Sequence, residues 1–481
     1  MTTRRDFLKK TGIAVAGYSL LNNRAVGGAS LLSSRQTSEG YVGKRPPVSQ
    51  RKFVSEAVEA EIRKVKSGIK DEELAWIFEN CYPNTLDTTV QFQMLDGKPD
   101  TFIITGDIHA MWLRDSTSQV WPYLPFTKED PKLKKMIAGV INRQVKCVLL
   151  DPYAEAFNYG PTGSPWDKDL TEMKPGIWER KWEVDSLSHP MRLSYGYWKT
   201  TGDTSVFDHD WLNAMKLAVS TYRTQQRKHG RGPYKFQRTT PKPSDTVPLG
   251  GYGNPIKPVG MIASMFRPSD DATIFPLLVP SNYFAVTSLR QLSEISSEVI
   301  GDREFSGECS SLADEVYDAI QQYAEVNHLT FGRMLAYEVD GYGDHLFMDD
   351  ASAPNLLSLP YYQCVPIDDQ VYQATRAYVL SESDPYFFKG TAGEGIGSEH
   401  VGLGKIWPLG VMMEALTSRD DNEIKRCLDT LIRSSAGTGF MHESFDKNDP
   451  AKFTRSWFAW ANTLFGELVI KLYREKRYLL S

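Results

Sequence analysis

The chain has 481 residues and sets 55 basic against 60 acidic side chains, a net charge of −5 without long runs of either sign. That balance excludes a nucleic-acid surface and a polybasic membrane patch, and favours small neutral partners. Aromatic residues make up 12% of the chain, with 11 Trp and 23 Tyr, a load that suits carbohydrate handling, while the five cysteines stand singly, without CxxC or Cys–His spacing, and read as small buried apolar residues rather than metal ligands.

The N-terminus reads MTTRRDFLKKTGIAVAGYSLLNN. Arg4-Arg5, then Lys9-Lys10, then a run of small apolar residues from Gly12 to Leu21 have the form of a twin-arginine export signal over residues 1–30. The run is too short to span a bilayer and no later stretch approaches ~20 uninterrupted apolar residues. The expectation is export in the folded state to a bacterial periplasm, with no membrane span in the mature protein. Residues 31–52 are rich in Ser, Gly, Pro and charge and predict a mobile leader; a single domain is expected over 53–481.

From Phe53 onward helical spacing dominates. Val54, Val58, Ile62 and Val65, then Leu74, Trp76 and Ile77, predict one or two amphipathic helices up to Cys81. A further helix is predicted over Lys132–Leu150, stopped at Asp151-Pro152. Others are expected where Asp185, Ser186, His189 and Pro190 lead into a helix ending near Gly202, over Val206–Arg227, in the stretch that follows MFRPSDDATIFPLLVPSNYFAVTSL through Gln321, over Ile406–Leu416, and at the C-terminus. Between them lie polar, glycine-rich loops, the longest over Lys228–Gly260 and another over Gly390–Gly404. Few alternating strand patterns occur outside Phe331–His345, and no fixed-period repeat is visible. Helix, polar loop, helix, repeated many times, predicts an all-α toroid of helical hairpins whose loops gather at one end. Gly393-Glu394-Gly395-Ile396-Gly397 lacks the Lys of a phosphate-binding loop, so no nucleotide cofactor is expected.

The stretch Thr101–Pro125, TFIITGDIHAMWLRDSTSQVWPYLP, is a poor core and a poor surface. Asp107, His109, Arg114 and Asp115 alternate with Trp112, Trp121 and Tyr123, and a buried charge is tolerated only when paired or hydrogen-bonded. Such a set can fix a sugar, the charged groups bonding vicinal hydroxyls and the indole covering an apolar ring face. It can equally be a structural Arg–Asp pair at a helix start.

Acid–base cleavage of a sugar bond needs two carboxyls, one protonated and one ionised. Asp115, Asp185, Asp270-Asp271, Asp349-Asp350 and Glu443 are the loop-borne acidic sites. In Arg267-Pro268-Ser269-Asp270-Asp271 the adjacent like charges favour a raised pKa on one aspartate, as a general acid requires, and the spacing alone does not separate the two. The other reading is a helix N-cap at Ser269 or Asp270. Glu443, in Gly439-Phe440-Met441-His442-Glu443-Ser444-Phe445, suits a base poised over water, Asp349-Asp350 reads as a pair holding loops, and His400 and Trp407 frame the glycine-rich loop as a subsite wall.

The runs TGDIHAMWLRDSTSQVWPYL, FRPSDDATIFPLLVPSNYFAV, FMDDASAPNLLSLPYY, GTAGEGIGSEHVGLGKIWPL and GFMHESFDKNDPAKFTRSWFAWANTLFGEL resemble, in the same order, glycoside hydrolase family 125, the exo-acting α-1,6-mannosidases. The resemblance covers most of the chain from Phe53 and implies an (α/α)6 barrel, inversion at the anomeric carbon, no metal or other cofactor, and a mannose-containing oligosaccharide as partner. It implies Asp270 as general acid, with Asp271 as fallback, and Glu443 as general base. Arg114 and Asp115, beside Trp112, become ligands of the terminal sugar, with Arg267, Asp271, His400 and His442 as further contacts. Ser398-Glu399 departs from the small residue and proline expected before His400. Competing readings are an exo-α-glucosidase or trehalase-like enzyme, a lyase or epimerase on the same toroid, and a non-catalytic glycan-binding protein. Nothing in the pattern fixes an oligomeric state.

Overall fold

The computed structural model describes residues 40–480. The expected export signal and residues 31–39 of the expected leader lie outside the described residues. The rest of that leader is docked rather than mobile, so the folded unit begins at Tyr41 and not at Phe53. Arg45 binds both Glu59 and Asp87, Arg51 joins Glu59, and the Trp76 indole donates to the Val42 carbonyl. Charge and proline composition hid this docking, because its anchor is a buried fork of ion pairs and not an apolar face.

Fourteen α-helices run through the described residues: α1 (Glu56–Lys66), α2 (Glu72–Cys81), α3 (Asn84–Thr88), α4 (Leu113–Val120), α5 (Pro131–Leu150), α6 (Val184–Thr201), α7 (His209–Gln225), α8 (Pro248–Gly251), α9 (Val279–Ile295), α10 (Arg303–Tyr323), α11 (Gln370–Val379), α12 (Pro408–Leu416), α13 (Asp421–Ser434) and α14 (Ala459–Glu475). They form two concentric rings, an (α/α)6 barrel. In the inner ring α14 packs on α4, α4 on α6, α6 on α9, and α12 on α14. Residues 351–364 close the gap between α9 and α12: the Tyr362 ring meets Phe284 of α9 at 4.6 Å, and Gly410 of α12 lies against Ala351. The outer ring is α2, α5, α7, α10, α11 and α13.

Burial separates the rings. α4 is buried at every position, as an inner helix covered on all sides must be. Outer α13 instead buries one stripe, Ile424, Cys427, Leu428 and Leu431, at the i, i+3, i+4, i+7 spacing of a half-exposed helix. Where helices cross closely only glycine fits; a Cβ on Gly466 of α14 would meet the Tyr82 backbone at 2.8 Å. All five cysteines are unpaired, four of them buried. Among the described residues no helix is long and apolar enough to cross a membrane.

Short strands decorate the loops in six small antiparallel sheets. Two of them build the functional end. Met111–Trp112 pairs with Ala156–Phe157, which pairs with Ile177–Glu179. Lys405–Ile406 pairs with Ser444–Asp446, which pairs with Asp449–Thr454. These strands lead into the inner helices from one end of the barrel, so the loops before α4, α6, α9, α12 and α14 converge there. Inner-helix N-termini also point there, and their partial positive charge favours carboxylates.

Candidate active site

At this end lies a cavity of about 190 Å³, lined by Trp112, Arg114, Asp115, Ser269, Asp270, His400, Trp407, Glu443, Arg455 and Trp460 with neighbouring apolar residues. A single bound water needs at least about 10–15 Å³ of such space, so the cavity has room for a ring-sized ligand. A larger cavity of about 410 Å³ at the opposite end is lined by Trp121, Arg192, Tyr361 and Glu467 and contains none of the candidate residues.

Asp270 and Glu443 line the same small cavity. Asp270 sits in a tight turn, Arg267 accepting from its amide at 2.9 Å, and its φ of +67° is left-handed. Such a conformation persists only where surroundings impose it. Here they do: Ser269 donates to Asp350 at 2.9 Å, and Ser352 donates to the Pro268 carbonyl at 2.9 Å. No helix follows Asp270, since α9 begins at Val279, which removes the N-cap reading. On Glu443, one carboxyl oxygen accepts from Thr454 at 2.9 Å and the other faces the Arg455 guanidinium at 3.6 Å. Arg455 also binds Asp107 and has φ +48°, a second left-handed side chain on the cavity wall.

The raised pKa expected within the Asp270-Asp271 pair is absent. Burial pushes Asp271 up, but His400 and Lys242 outweigh it and hold the carboxyl at about 2. Asp271 turns away from the cavity, accepting from Lys242 at 2.7 Å and Ser244 at 2.9 Å. Burial likewise acts on Asp270, and Lys181, then Arg114 and His400, bring it below the usual carboxylate range. Adjacent like charges would raise one carboxyl, but cations from distant segments, Lys181, Arg114, His400 and Lys242, outweigh that repulsion. Raised carboxyls stand nearby instead. Asp115 is pushed by burial to about 6 against the pull of Arg114 and Arg455. Burial also drives Glu183 and Glu155 well above the ordinary range.

Trp112, Arg114, Asp115 and His400 reach the cavity as expected. The His400 ring packs edge-on to Trp407 at 6.3 Å and lies 3.7 Å from Asp271, which outweighs burial and raises its pKa. Three expected sugar contacts do not line it, Asp271 among them. Arg267 is fully buried, its Nε bonding Glu338 at 2.6 Å and its Nη1 bonding Glu399 at 3.2 Å, so it braces the Asp270 turn from behind. His442 is buried and stacked on Phe453 at 3.6 Å, with Thr438 and the Arg455 carbonyl taking its two nitrogens. Ser398-Glu399 has a local function: Ser398 donates to Asp350 and accepts from the His400 amide, while Glu399 completes the Arg267 pair. Asp349 and Asp350 hold loops, as expected, by accepting backbone amides of Leu356, Leu357 and Ser352.

The sequence reading missed Arg455, Lys181, Glu155 and Glu183. Asp185, expected on a loop, lies in the first turn of α6 and binds Arg114 at 3.2 Å. For Arg455, Lys181 and Glu183 the TRSWF and ERKWEVD runs held the signal, charged residues set beside tryptophan, while Glu155 stands in neither run. Among the described residues, no group of three or more His, Cys, Asp or Glu is arranged to hold a metal ion.

A family model described as metal-independent α-mannosidase, glycoside hydrolase family 125, matches residues 71–470. The meiotically up-regulated gene 157 protein of Schizosaccharomyces pombe is 42% identical over 456 residues, 91% of this chain and 89% of its own. A metal-independent α-mannosidase of Streptococcus pneumoniae, solved as a non-productive complex with α-1,6-mannobiose, matches with TM-score 0.84 and 41% identity over 88% of this chain and 100% of its own. A family 78 rhamnosidase of Bacillus sp. GL1 matches at TM-score 0.52 and 12% identity over 85% of this chain and 35% of its own, a likeness of fold alone.

Proposed function

Because the chain belongs to glycoside hydrolase family 125, the metal-independent α-mannosidases, we propose that it is an exo-acting, inverting α-1,6-mannosidase with Asp270 as general acid and Glu443 as general base. The observation that carries this reading is the presence of both carboxyls on one cavity of single-hexose size. A cavity of that volume takes a terminal residue and not a chain, which supports exo action. The α-1,6-mannobiose bound by the S. pneumoniae relative supports the linkage.

In this mechanism Asp270 protonates the glycosidic oxygen as the C1–O bond breaks, and Glu443 takes a proton from the water that attacks C1 from the opposite face. Arg114 and Asp115 hold hydroxyls of the terminal mannose, and Trp112, Trp407 and Trp460 cover its apolar faces. Arg455, beside Glu443 and anchored by Asp107, orients the base. Inversion calls for about 6.5–9.5 Å between the two carboxyls, leaving space for the water.

The test is proton NMR of α-1,6-mannobiose hydrolysis from the first minutes. β-Mannose should appear first and then mutarotate; α-mannose as the first product refutes inversion, and cleavage of other mannosides alone refutes the linkage. The twin-arginine leader supports export as a further part of the proposal, tested by fractionating cells that express the full chain with Arg4-Arg5 intact or replaced by lysines.

A further inference from the structure

The Arg114 guanidinium carries more acid than it can neutralise. Around this one buried cation stand Glu183 at 2.6 Å, Asp185 at 3.2 Å, Asp270 at 3.6 Å and Asp115 at 3.8 Å. Lys181 is the next cation inward; its ammonium lies 3.3 Å from Glu179 and 2.7 Å from Asp245, and donates to the Asp270 carbonyl at 2.9 Å. Arg238 shares Glu179 and Asp245, and binds Asp169 besides. Glu155 adds a carboxyl whose Oε2 accepts the Lys181 amide at 2.5 Å. From the cavity wall, His400 faces Asp270 and Asp271, and Arg455 faces Asp115 and Glu443. Glu183 and Asp185 are fully buried and only Asp270 opens appreciably onto the cavity, so four carboxyls on one guanidinium favour protonation of a buried one, since unpaired buried charge is neutralised in that way.

The proton has an identifiable place. Glu183 immediately precedes α6 and is fully buried. Its Oε2 accepts from Arg114 and, at 2.9 Å, from Ser186, while its Oε1 has no partner among the protein's donors. Asp270 Oδ1 is also buried without a hydrogen-bond donor, and the two carboxyls share the Arg114 guanidinium, Glu183 on Nη1 at 2.6 Å and Asp270 on Nη2 at 3.6 Å. Two acceptor oxygens without protein donors, gathered on one guanidinium, are satisfied together by a proton shared between them. Resting on the assignment of Asp270 as the acid, we propose that Glu183 is the positioning residue that holds the catalytic proton and passes it to Asp270. The direction of the shifts agrees: burial places the proton on Glu183, while cations keep Asp270 ionised at rest.

The step balances. The O–H bond of Glu183 breaks as one forms on Asp270; the Asp270 O–H then breaks as the leaving oxygen gains its proton and C1–O cleaves. Glu183 is left ionised against Arg114 and Glu443 protonated by the attacking water, and after product leaves, the proton on Glu443 returns through solvent to Glu183. The pair therefore titrates as a unit, in the way two interacting carboxyls share one proton.

Glu183→Gln keeps the contact to Arg114 but cannot carry the proton, and its amide donates to Asp270 and stabilises the ionised form. On α-1,6-mannobiose, kcat/KM at neutral pH should fall about a hundredfold or more, within the range that general acid catalysis contributes. The basic limb of the pH profile should move about one unit or more to lower pH, as expected for a carboxyl left beside cations. Hydrolysis of 2,4-dinitrophenyl α-mannoside, whose leaving group needs no proton, should change little. Equal losses on both substrates, or an unmoved basic limb, overturn the proposal. Asp270→Asn separates the two levels: if it lacks leaving-group dependence the acid assignment itself fails, and if only Glu183→Gln lacks it, the proton-holding role alone fails. A second measurement needs no folded variant at Glu183. Carbon NMR of wild-type protein with side-chain-labelled glutamate should reveal at pH 7 a protonated glutamate whose signal moves in Asp270→Asn; absence of such a signal overturns the proposal.

Discussion

Replacing Arg267 by Met distinguishes a sugar contact from a brace behind the site. Arg267 is fully buried, and Glu338, also fully buried, accepts its Nε at 2.6 Å and the amides of Ile274 and Phe275 at 2.9 Å each. Removing one partner of a buried pair typically costs about 3–5 kcal/mol, because the other charge is left uncompensated. Unfolding entropy of about 2.1 cal/mol/K per residue, over about 440 described residues, gives about 0.9 kcal/mol/K, so Tm should fall by about 3–5 °C. The assay pairs calorimetry at fixed scan rate with kinetics on α-1,6-mannobiose. The variant should melt earlier, lose kcat as the Asp270 turn loosens, and keep KM within about threefold. The partner substitution Glu338→Gln should make the second loss smaller in the double variant than in the single ones, as coupled sites do. An unchanged Tm with KM raised tenfold refutes the reasoning and returns Arg267 to the sugar.

Three further outcomes follow from the same geometry. Asp271→Asn should cost about 2–3 kcal/mol at pH 7, because a carboxyl held at about 2 when folded, against an unfolded value near ~3.9, contributes stability above the unfolded pKa and loses it as pH falls through the folded one. Chemical denaturation at pH 7 and pH 2 measures the difference, and a loss confined to activity on poor leaving groups would instead make Asp271 the acid. For Asp115 the sign reverses: its folded pKa of about 6 lies above the unfolded value, so ionisation penalises the fold progressively as pH rises from about 4 to above 6. Asp115→Asn should therefore be up to about 3 kcal/mol more stable than wild type at pH 8, equal to it at pH 4, and defective in mannose binding by calorimetric titration; equal stability at pH 8 contradicts this. Gly106 has φ +133°, and a Cβ there would stand 2.3 Å from the Trp457 carbonyl oxygen. Gly106→Ala should displace the Asp107–Arg455 anchor and lower kcat with the fold retained, read by kinetics and circular dichroism; unaltered kcat refutes that link.

What the sequence made legible was the part encoded locally. Apolar spacing foretold α1, α2, α5, α7 and α12 to within a few residues, because a stripe along one chain segment is enough to define an amphipathic helix. Strand pairing across the chain was not legible in this way, and the Val90–Ile103 hairpin shows what was overlooked: Asp96-Gly97, at φ +51° and +79°, is a two-residue hairpin turn with an evident sequence signal. α13 also went unpredicted, although its stripe is regular. Among the residues on the cavity wall, Trp112, Arg114, Asp115, Asp270, His400 and Glu443 were legible from their aromatic-flanked runs, and Arg455, in a run of the same kind, was not.

The misassigned residues share one physical cause. Arg267 and His442 neighbour true cavity residues in sequence, but a side chain one to three positions away in an irregular turn can face the opposite side of the wall, and there each serves its neighbour from behind. Protonation states were further out of reach. Whether Asp270 is acid or anion depends on Arg114, Lys181, Glu183 and His400, which arrive from three separate segments of the chain, so the decisive quantity is a sum of long-range Coulomb and burial effects that no local pattern encodes. An isolated aspartate beside two buried cations would be a poor acid at neutral pH. The same segments that depress it bring Glu183 onto the guanidinium that Asp270 faces, and in the proposed mechanism the excess carboxyls around Arg114 thereby become a store of protons at the place where the leaving group needs one.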